Sequence, residues 1–195
     1  MNEKLFIPIL LGTVRKERQS EKVAQFLLEQ VSKHPEIETE LFDPREMDLP
    51  MDDEGGYSGL KEKNTKWRDA IIRADGLIIV TPEYNHGYPG SLKRALDVLL
   101  KEYIHKTVGL VGVSAGRLGG ARVIEQLVQV VRELGLAVTF TDLSFPGVGD
   151  FFDEKGEPKD KAVYGRVEKF LEELVWMAKT LRWGRQNVSS KHHQV

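Results

Sequence analysis

Short runs of consecutive apolar residues, separated by stretches with helical spacing, constrain this chain most. Leu5–Leu11, Gly76–Val80 and Val108–Val113 are apolar almost throughout, and Leu136–Phe140 is a mixed run. A strand with one wet face alternates, whereas continuous apolar character means that both faces are covered, as in a parallel sheet between helix layers. Ile37–Phe42 is weaker and reads as an edge strand. Between the runs, Val23, Leu27 and Val31 form an apolar stripe behind Ser20. Leu92, Ala95, Leu96, Leu99 and Tyr103 form another behind Pro89, a residue type favoured at a first helical position. Ile124, Leu127, Val131 and Leu134 form a third, closed by Gly135 where a left-handed cap belongs. Val163, Val167, Phe170, Leu174, Ala178 and Leu181 make the last, and a less regular helix is expected over Leu60 to Ala74.

Five strands alternating with five helices predict an α/β fold, a flavodoxin-like three-layer sandwich. Its five-stranded parallel sheet takes the order 2-1-3-4-5, with helices on both faces. A length of 195 residues suits one such domain over 1–183, followed by a polar tail over 184–195. Ligands of these sheets bind outside the carboxyl ends of the strands, so the loops after strands one, three and four carry the functional question.

Composition removes whole classes of function. With no cysteine there is no disulfide, thiolate nucleophile or Cys-ligated metal, and a reducing cytoplasm is the expected location. Against 30 acidic residues stand 28 basic ones, which leaves no electrostatic reason for nucleic acid or an acidic membrane as partner. The Leu5–Leu11 run is too short to span a bilayer and lacks a small-residue cleavage site. No metal site is expected.

The first loop, Gly12 to Ser20, offers two hydroxyls, one amide, three cations and one acid ahead of a helix N-terminus. The helix amides and macrodipole favour an anion there, and Arg15 can add a bidentate clamp. A phosphate fits best; the alternative is a solvated charged loop with Ser20 as a helix cap. Neither Gly-x-x-x-x-Gly-Lys-Ser/Thr nor Gly-x-Gly-x-x-Gly is present, so a monophosphate suits the loop better than a pyrophosphate. The second loop, Thr81 to Gly90, has two prolines, two glycines and the flat rings of Tyr84 and Tyr88, which suit a planar heteroaromatic ring. The third, Gly112 to Gly120, has four glycines that let backbone amides approach the carbonyl and imide edges of a flavin. Gly112-Val113-Ser114-Ala115-Gly116 also matches the Gly-x-Ser-x-Gly nucleophile elbow of serine hydrolases. That reading requires a helix starting at the serine and a downstream histidine, and only His192 and His193 follow.

Taken together, Ala74-Asp75-Gly76-Leu77-Ile78-Ile79-Val80-Thr81-Pro82-Glu83-Tyr84-Asn85, continued by Pro89 to Asp97, resembles the NADPH-dependent FMN reductase family of quinone, azo-dye and chromate reductases. Gly12-Thr13-Val14-Arg15 resembles its first loop and Ser114 to Gly120 its third; Phe152 to Gly156 also fits. The resemblance implies FMN with its phosphate on Thr13, Arg15, Gln19 and Ser20. It places Pro82, Glu83, Tyr84, Asn85 and His86 against the isoalloxazine, and Ser114, Ala115, Gly116, Arg117 and Gly119 at the ring's polar edge. No side chain need be a catalytic nucleophile. NADPH or NADH is the implied cosubstrate and a quinone, azo compound, free flavin or metal oxyanion the acceptor, with Arg117 or Arg15 available to a 2′-phosphate. A flavodoxin-type electron carrier is the other reading, although such carriers are strongly acidic and this chain is not. Members of the family pair through the region behind Pro89, which implies a homodimer or a dimer of dimers with the Phe145–Phe152 loop near the partner's flavin.

Overall fold

The computed structural model describes residues 3–49 and 62–192. Its strands are β1 (Leu5–Phe6), β2 (Ile9–Leu11), β3 (Ile37–Glu38), β4 (Leu41–Phe42), β5 (Gly76–Pro82), β6 (Thr107–Val113), β7 (Ala137–Val138) and β8 (Leu143–Phe145). The helices are α1 (Ser20–Ser32), α2 (Thr65–Arg73), α3 (Gly90–Asp97), α4 (Ala121–Glu133) and α5 (Ala162–Asn187). The paired strands run parallel in the order β4-β2-β5-β6-β7, with β8 also on β6 and β1 on β3.

Read as physical strands, these pieces give the expected order 2-1-3-4-5. The first strand is continuous in its pairing with the second: Leu5, Ile7 and Ile9 donate to the carbonyls of Glu36, Glu38 and Glu40 at 2.8, 2.9 and 2.8 Å. Pro8 has no N–H to donate, yet its carbonyl still accepts from Ile78 at 3.0 Å. The expected fifth strand over Leu136–Phe140 is corrected. It is two short pieces, β7 against the start of β6 and β8 against its end. Between them Thr139 turns its backbone N–H and its hydroxyl onto Val108 O, at 3.0 and 3.3 Å. Such side-chain bonding competes with the ladder, the chain leaves the sheet, and Phe140 ends 92% exposed.

The continuous apolar runs are divided between two faces, as residue alternation along a strand requires. Ile78, Val80, Val111 and Val113 pack with α1 and α5, whereas Leu77, Ile79, Val108 and Leu110 pack with α2, α3 and α4. Gly109 lies under Phe170 of α5, and a Cβ there would stand 2.4 Å from the ring edge. Gly135, at φ 80°, closes α4 as its position suggests.

The expected helix behind Pro89 is shorter than its apolar pattern. Pro89 is extended and caps α3 rather than opening it, and α3 ends at Asp97 before a single turn at Lys101–Tyr103. That break turns Val98, Leu99 and Tyr103 inward, where all are buried, and leaves Leu100 half exposed. The apolar surplus is thus mostly absorbed within the chain. Trp67 of α2 donates its indole N–H to the Tyr103 hydroxyl at 3.3 Å, deep in this layer, where burial pushes the phenol's pKa up. The loop over 43–59 is a candidate cover for this face, and its residues 50–59 lie outside the described residues.

At the amino end of the sheet, Asp75 is a buried hub. Its carboxylate accepts from Phe6 N at 3.0 Å, Arg182 Nε at 2.7 Å and Arg185 Nη2 at 2.8 Å. Arg182 also bonds the carbonyls of Glu3 and Lys4. These two arginines belong to the last turns of α5, which continues past the expected boundary at 183 to Asn187.

Candidate functional site

At the opposite end, the loops following β2, β5 and β6 meet around a cavity of about 360 Å³. It is lined by Arg15 to Ser20, by Pro82, Glu83 and Tyr84, and by Val113, Ser114, Ala115 and Val148. A larger hollow of about 730 Å³ runs along the outer side of α1. That hollow is an open trough of aliphatic stems away from the strand ends, where a sheet of this topology does not place its ligand.

The first loop is organised by a residue whose role its composition does not reveal. Arg18 looks like one of several charges crowding the loop, but its side chain is only 1% exposed. The guanidinium forks onto both carboxylate oxygens of Asp43, donates to the Thr13 carbonyl and reaches Glu21 Oε2 at 3.3 Å. Burial alone would raise the Asp43 pKa; the bonds from Arg18 and from Arg45 N hold it below the ordinary carboxylate value. Burial also works against the Arg18 charge, and the Asp43 and Glu21 contacts outweigh it. Arg45 adds bonds to the carbonyls of Val14 and Arg15. Three successive loop carbonyls are therefore held from behind by arginines, which turns the loop's donors toward the cavity.

Thr13 is buried; its hydroxyl bonds the Tyr84 hydroxyl at 3.0 Å and accepts from Arg15 N at 3.3 Å. The Arg15 guanidinium lies 5.6 Å from the Tyr84 ring centre, stacking the first loop on the second. Ser20 begins α1 but does not cap it: the Ser20 hydroxyl and the side-chain amide oxygen of Gln19 are both buried without a hydrogen-bond partner among the described residues. Buried polar atoms are normally satisfied, so two orphans beside one helix N-terminus mark a place for a polar ligand. A donor hydroxyl, Arg15 and the helix amides together form an anion site, and the charged-loop alternative leaves these orphans unexplained.

The second loop reverses in two residues. Tyr84 and Gly87 exchange backbone hydrogen bonds of 2.9 and 3.0 Å, with Asn85 and His86 at φ 49° and 68°. Positive φ is uncommon outside glycine, and asparagine and histidine are among the residue types that adopt it most readily. The turn exposes both side chains beyond the cavity lining, while Pro82, Glu83 and Tyr84 stay at its wall.

In the third loop, Gly112 backs onto the carbonyls of Gly119 and Gly120, and a Cβ on Gly112 would come within 2.7 Å of Gly120 O. Gly119 itself packs on Ser144 and Pro146, behind the cavity. Gly116 and Arg117 are exposed outside the lining, so Ser114 and Ala115 are the members of this loop that reach it. The Ser114 hydroxyl accepts from Gly116 N at 3.0 Å and donates to Gly116 O at 3.1 Å. Helix α4 starts only at Ala121. A nucleophile elbow requires the helix at the serine and a histidine on its hydroxyl, and neither feature is found among the described residues. Two partners of the site escaped sequence reading, Asp43 and Arg122, because each meets its counter-ion across the fold. Local spacing carries no signal for either.

The Phe145–Phe152 segment is anchored on its own chain by its two end residues. Phe145 and Phe152 are buried and stack around Phe26 of α1 at centroid distances of 6.3 and 5.9 Å, leaving Gly147, Gly149 and Asp150 exposed.

A doubly wound parallel sheet, with an anion-accepting helix N-terminus after its first strand and two loops closing over it, defines a flavodoxin-like nucleotide-binding protein. The chain belongs to the NADPH-dependent FMN reductase family, whose model matches residues 7–149. An NAD(P)H-dependent FMN reductase of Schizosaccharomyces pombe is 33% identical over 172 residues, covering 85% of this chain and 80% of that protein. A quinone reductase of Pseudomonas putida is 29% identical over 168 residues, covering 83% and 88%. Among solved structures, the flavoenzyme NAD(P)H:(acceptor) oxidoreductase FerB of Paracoccus denitrificans superposes with a TM-score of 0.74, at 20% identity over 89% of this chain and 98% of that one, a likeness of fold.

Proposed function

We propose that this protein is an FMN-dependent NAD(P)H oxidoreductase whose FMN phosphate sits at the N-terminus of α1. The observation that carries the site is the pair of buried, unpartnered oxygens on Gln19 and Ser20 where the three loops meet. In this reading Arg15, Gln19 and Ser20 hold the phosphate, with Thr13 fixing the loop through Tyr84. Pro82, Glu83 and Tyr84 form the wall for the ring, and Ser114 and Ala115 offer backbone to its polar edge. Asn85, His86, Gly116, Arg117 and Gly119 serve by shaping the turns around that wall rather than by lining it. When bound, FMN supplies the two-electron chemistry, accepting hydride from NAD(P)H and returning the electrons to an acceptor. With FMN bound, Pro82, Glu83 and Tyr84 would orient the ring and exclude water from the wall they form.

The acceptor is a flat or small oxidant such as a quinone, azo compound, free flavin or metal oxyanion. The absence of a strongly acidic surface favours an enzyme over a flavodoxin-type carrier. No described helix is long and apolar enough to cross a membrane, and we place the protein in the cytoplasm. We further infer a homodimer or a dimer of dimers, for which exposed Leu100, Leu118 and Phe140 supply apolar surface. Flavin absorbance in the purified protein, with NADPH oxidation that depends on added quinone, tests the activity. A colourless protein that takes up no added FMN refutes it. Sedimentation at micromolar concentration tests assembly, and a fully active 22.1 kDa species refutes the dimer.

A further inference from the structure

Of the buried side-chain polar atoms without partners among the described residues, three belong to residues lining the cavity: Gln19 Oε1, Ser20 Oγ and Glu83 Oε2. Ser20 Oγ can donate to a phosphate, and Gln19 can do so through its amide nitrogen once the amide is turned over. The third cannot, because an ionised carboxylate oxygen only accepts hydrogen bonds and repels an anion.

Glu83 is held in a one-sided way. Its side chain is 6% exposed, and Oε1 takes both Arg122 Nε at 2.8 Å and Arg122 Nη2 at 2.6 Å. Its backbone N–H donates to Val113 O at 3.0 Å, fixing the residue between the second and third loops. Arg122 lies in the first turn of α4, beyond the Gly119–Gly120 turn, and its side chain is 46% exposed. The ion pair therefore ties the second loop to the helix behind the third, while leaving Oε2 of this cavity-lining residue buried and without a partner among the described residues.

We propose that Glu83 is a positioning and charge-setting residue for the bound flavin, and that Arg122 holds its carboxylate in place. The inference rests on the FMN reading. Oε2 accepts a hydrogen bond from a donor of the flavin, either the ring imide N–H or a ribityl hydroxyl, the donor types an FMN presents away from its phosphate. A fixed negative charge beside the ring disfavours two-electron reduction, which brings further negative charge into the same cavity. Arg122 offsets part of that charge, weakened by its own exposure to solvent. The pair thus sets how readily the flavin is reduced, by an arrangement in which one oxygen is neutralised and the other is offered to the cofactor.

The test compares the wild type with Glu83→Gln, Arg122→Gln and the double variant. FMN titration gives the affinity for the oxidised cofactor, and spectroelectrochemistry at neutral pH gives the midpoint potential of the bound flavin. Glu83→Gln keeps the shape and removes the charge; reduced FMN becomes favoured over oxidised by about tenfold, a rise of about 30 mV in a two-electron couple. Arg122→Gln shifts the potential the opposite way, because Glu83 loses its counter-ion. The double variant follows Glu83→Gln, since Arg122 acts through Glu83, and Arg122→Lys recovers part of the wild-type value. Unchanged potentials in both single variants overturn the proposal, as does a shift of the same sign in both, which marks a mere structural disturbance. If Glu83→Gln fails to hold FMN, the half-exposed Arg122 variant still decides the sign. A wild-type protein that binds no flavin refutes the FMN reading itself, a distinct outcome.

Discussion

Replacing Arg18 by methionine isolates what the buried arginine does for the phosphate loop. Methionine keeps the apolar stem and removes the fork to Asp43, the bond to the Thr13 carbonyl and the 3.3 Å contact with Glu21. The Glu21 contact is worth little, because that side chain is 47% exposed and exposed pairs contribute about 0–1 kcal/mol. The Asp43 fork dominates. Breaking a fully buried pair costs about 3–5 kcal/mol, and since the Asp43 side chain retains 20% exposure the loss here is about 2–4 kcal/mol. A domain of ordinary stability, about 5–15 kcal/mol, survives that loss and can be studied folded. With Thr13 released from behind, FMN affinity falls by about tenfold, the equivalent of one hydrogen bond to a charged group. The pH dependence has a definite sign. In the wild type the Asp43 pKa is depressed, so the stability it contributes is present above the ordinary value of 3.8 and fades as pH falls through the folded value. In the variant burial is opposed only by Arg45, so the Asp43 pKa moves up from its wild-type position and the stability difference narrows on acidification. Urea unfolding of the apo forms at neutral and acid pH, with an FMN titration beside it, measures all three effects. A stability loss below about 1 kcal/mol together with unaltered FMN affinity would refute the role assigned to Arg18.

Arg15→Ala should weaken FMN binding by at least about tenfold, with an unchanged far-UV spectrum, because Arg15 contributes a charged clamp and, among the described residues, its side chain is placed only over the Tyr84 ring; an isothermal or fluorescence titration reads the change. Ser114→Ala should keep most quinone reduction, since the Ser114 hydroxyl bonds only within its own turn. Ester hydrolysis by the parent that vanishes in this variant would restore the hydrolase reading. Asp75→Asn should cost about 3 kcal/mol in chemical unfolding, because two arginines of α5 then share a neutral partner. FMN affinity should stay within about twofold, as the hub lies at the far end of the sheet from the cavity.

The layered sheet and its order were legible because both follow from local patterns. Continuous apolar runs such as Gly76–Val80 appear only where both faces are covered, and a run between helical stripes leaves few topologies open. The positions of the three loops followed at once, and with them Arg15, Gln19, Ser20, Pro82, Glu83, Tyr84, Ser114 and Ala115 as cavity residues. Element ends were less legible. The pattern behind Pro89 continues to Ile104 in a helical register, but the helix stops at Asp97, because a turn there buries Tyr103 beneath Trp67. The fifth strand breaks at Thr139 for a similar reason, a side chain that finds its partner on the neighbouring strand.

By itself, then, the sequence determined the sheet, its two covering layers, the end at which a ligand sits and the family to which the chain belongs. The tertiary structure alone decided which charges are structural and which face the ligand. Arg18, Glu17 and Lys16 look alike in the loop, yet only Arg18 turns inward, because Asp43 waits 25 residues away at the end of a neighbouring strand. Glu83 reads as a loop acid until Arg122, 39 residues on, claims one of its oxygens and leaves the other bare. Apolar burial is written in a spacing that each segment carries for itself, whereas the partner of a charge is a point in space. That point exists only once the strands have been brought side by side.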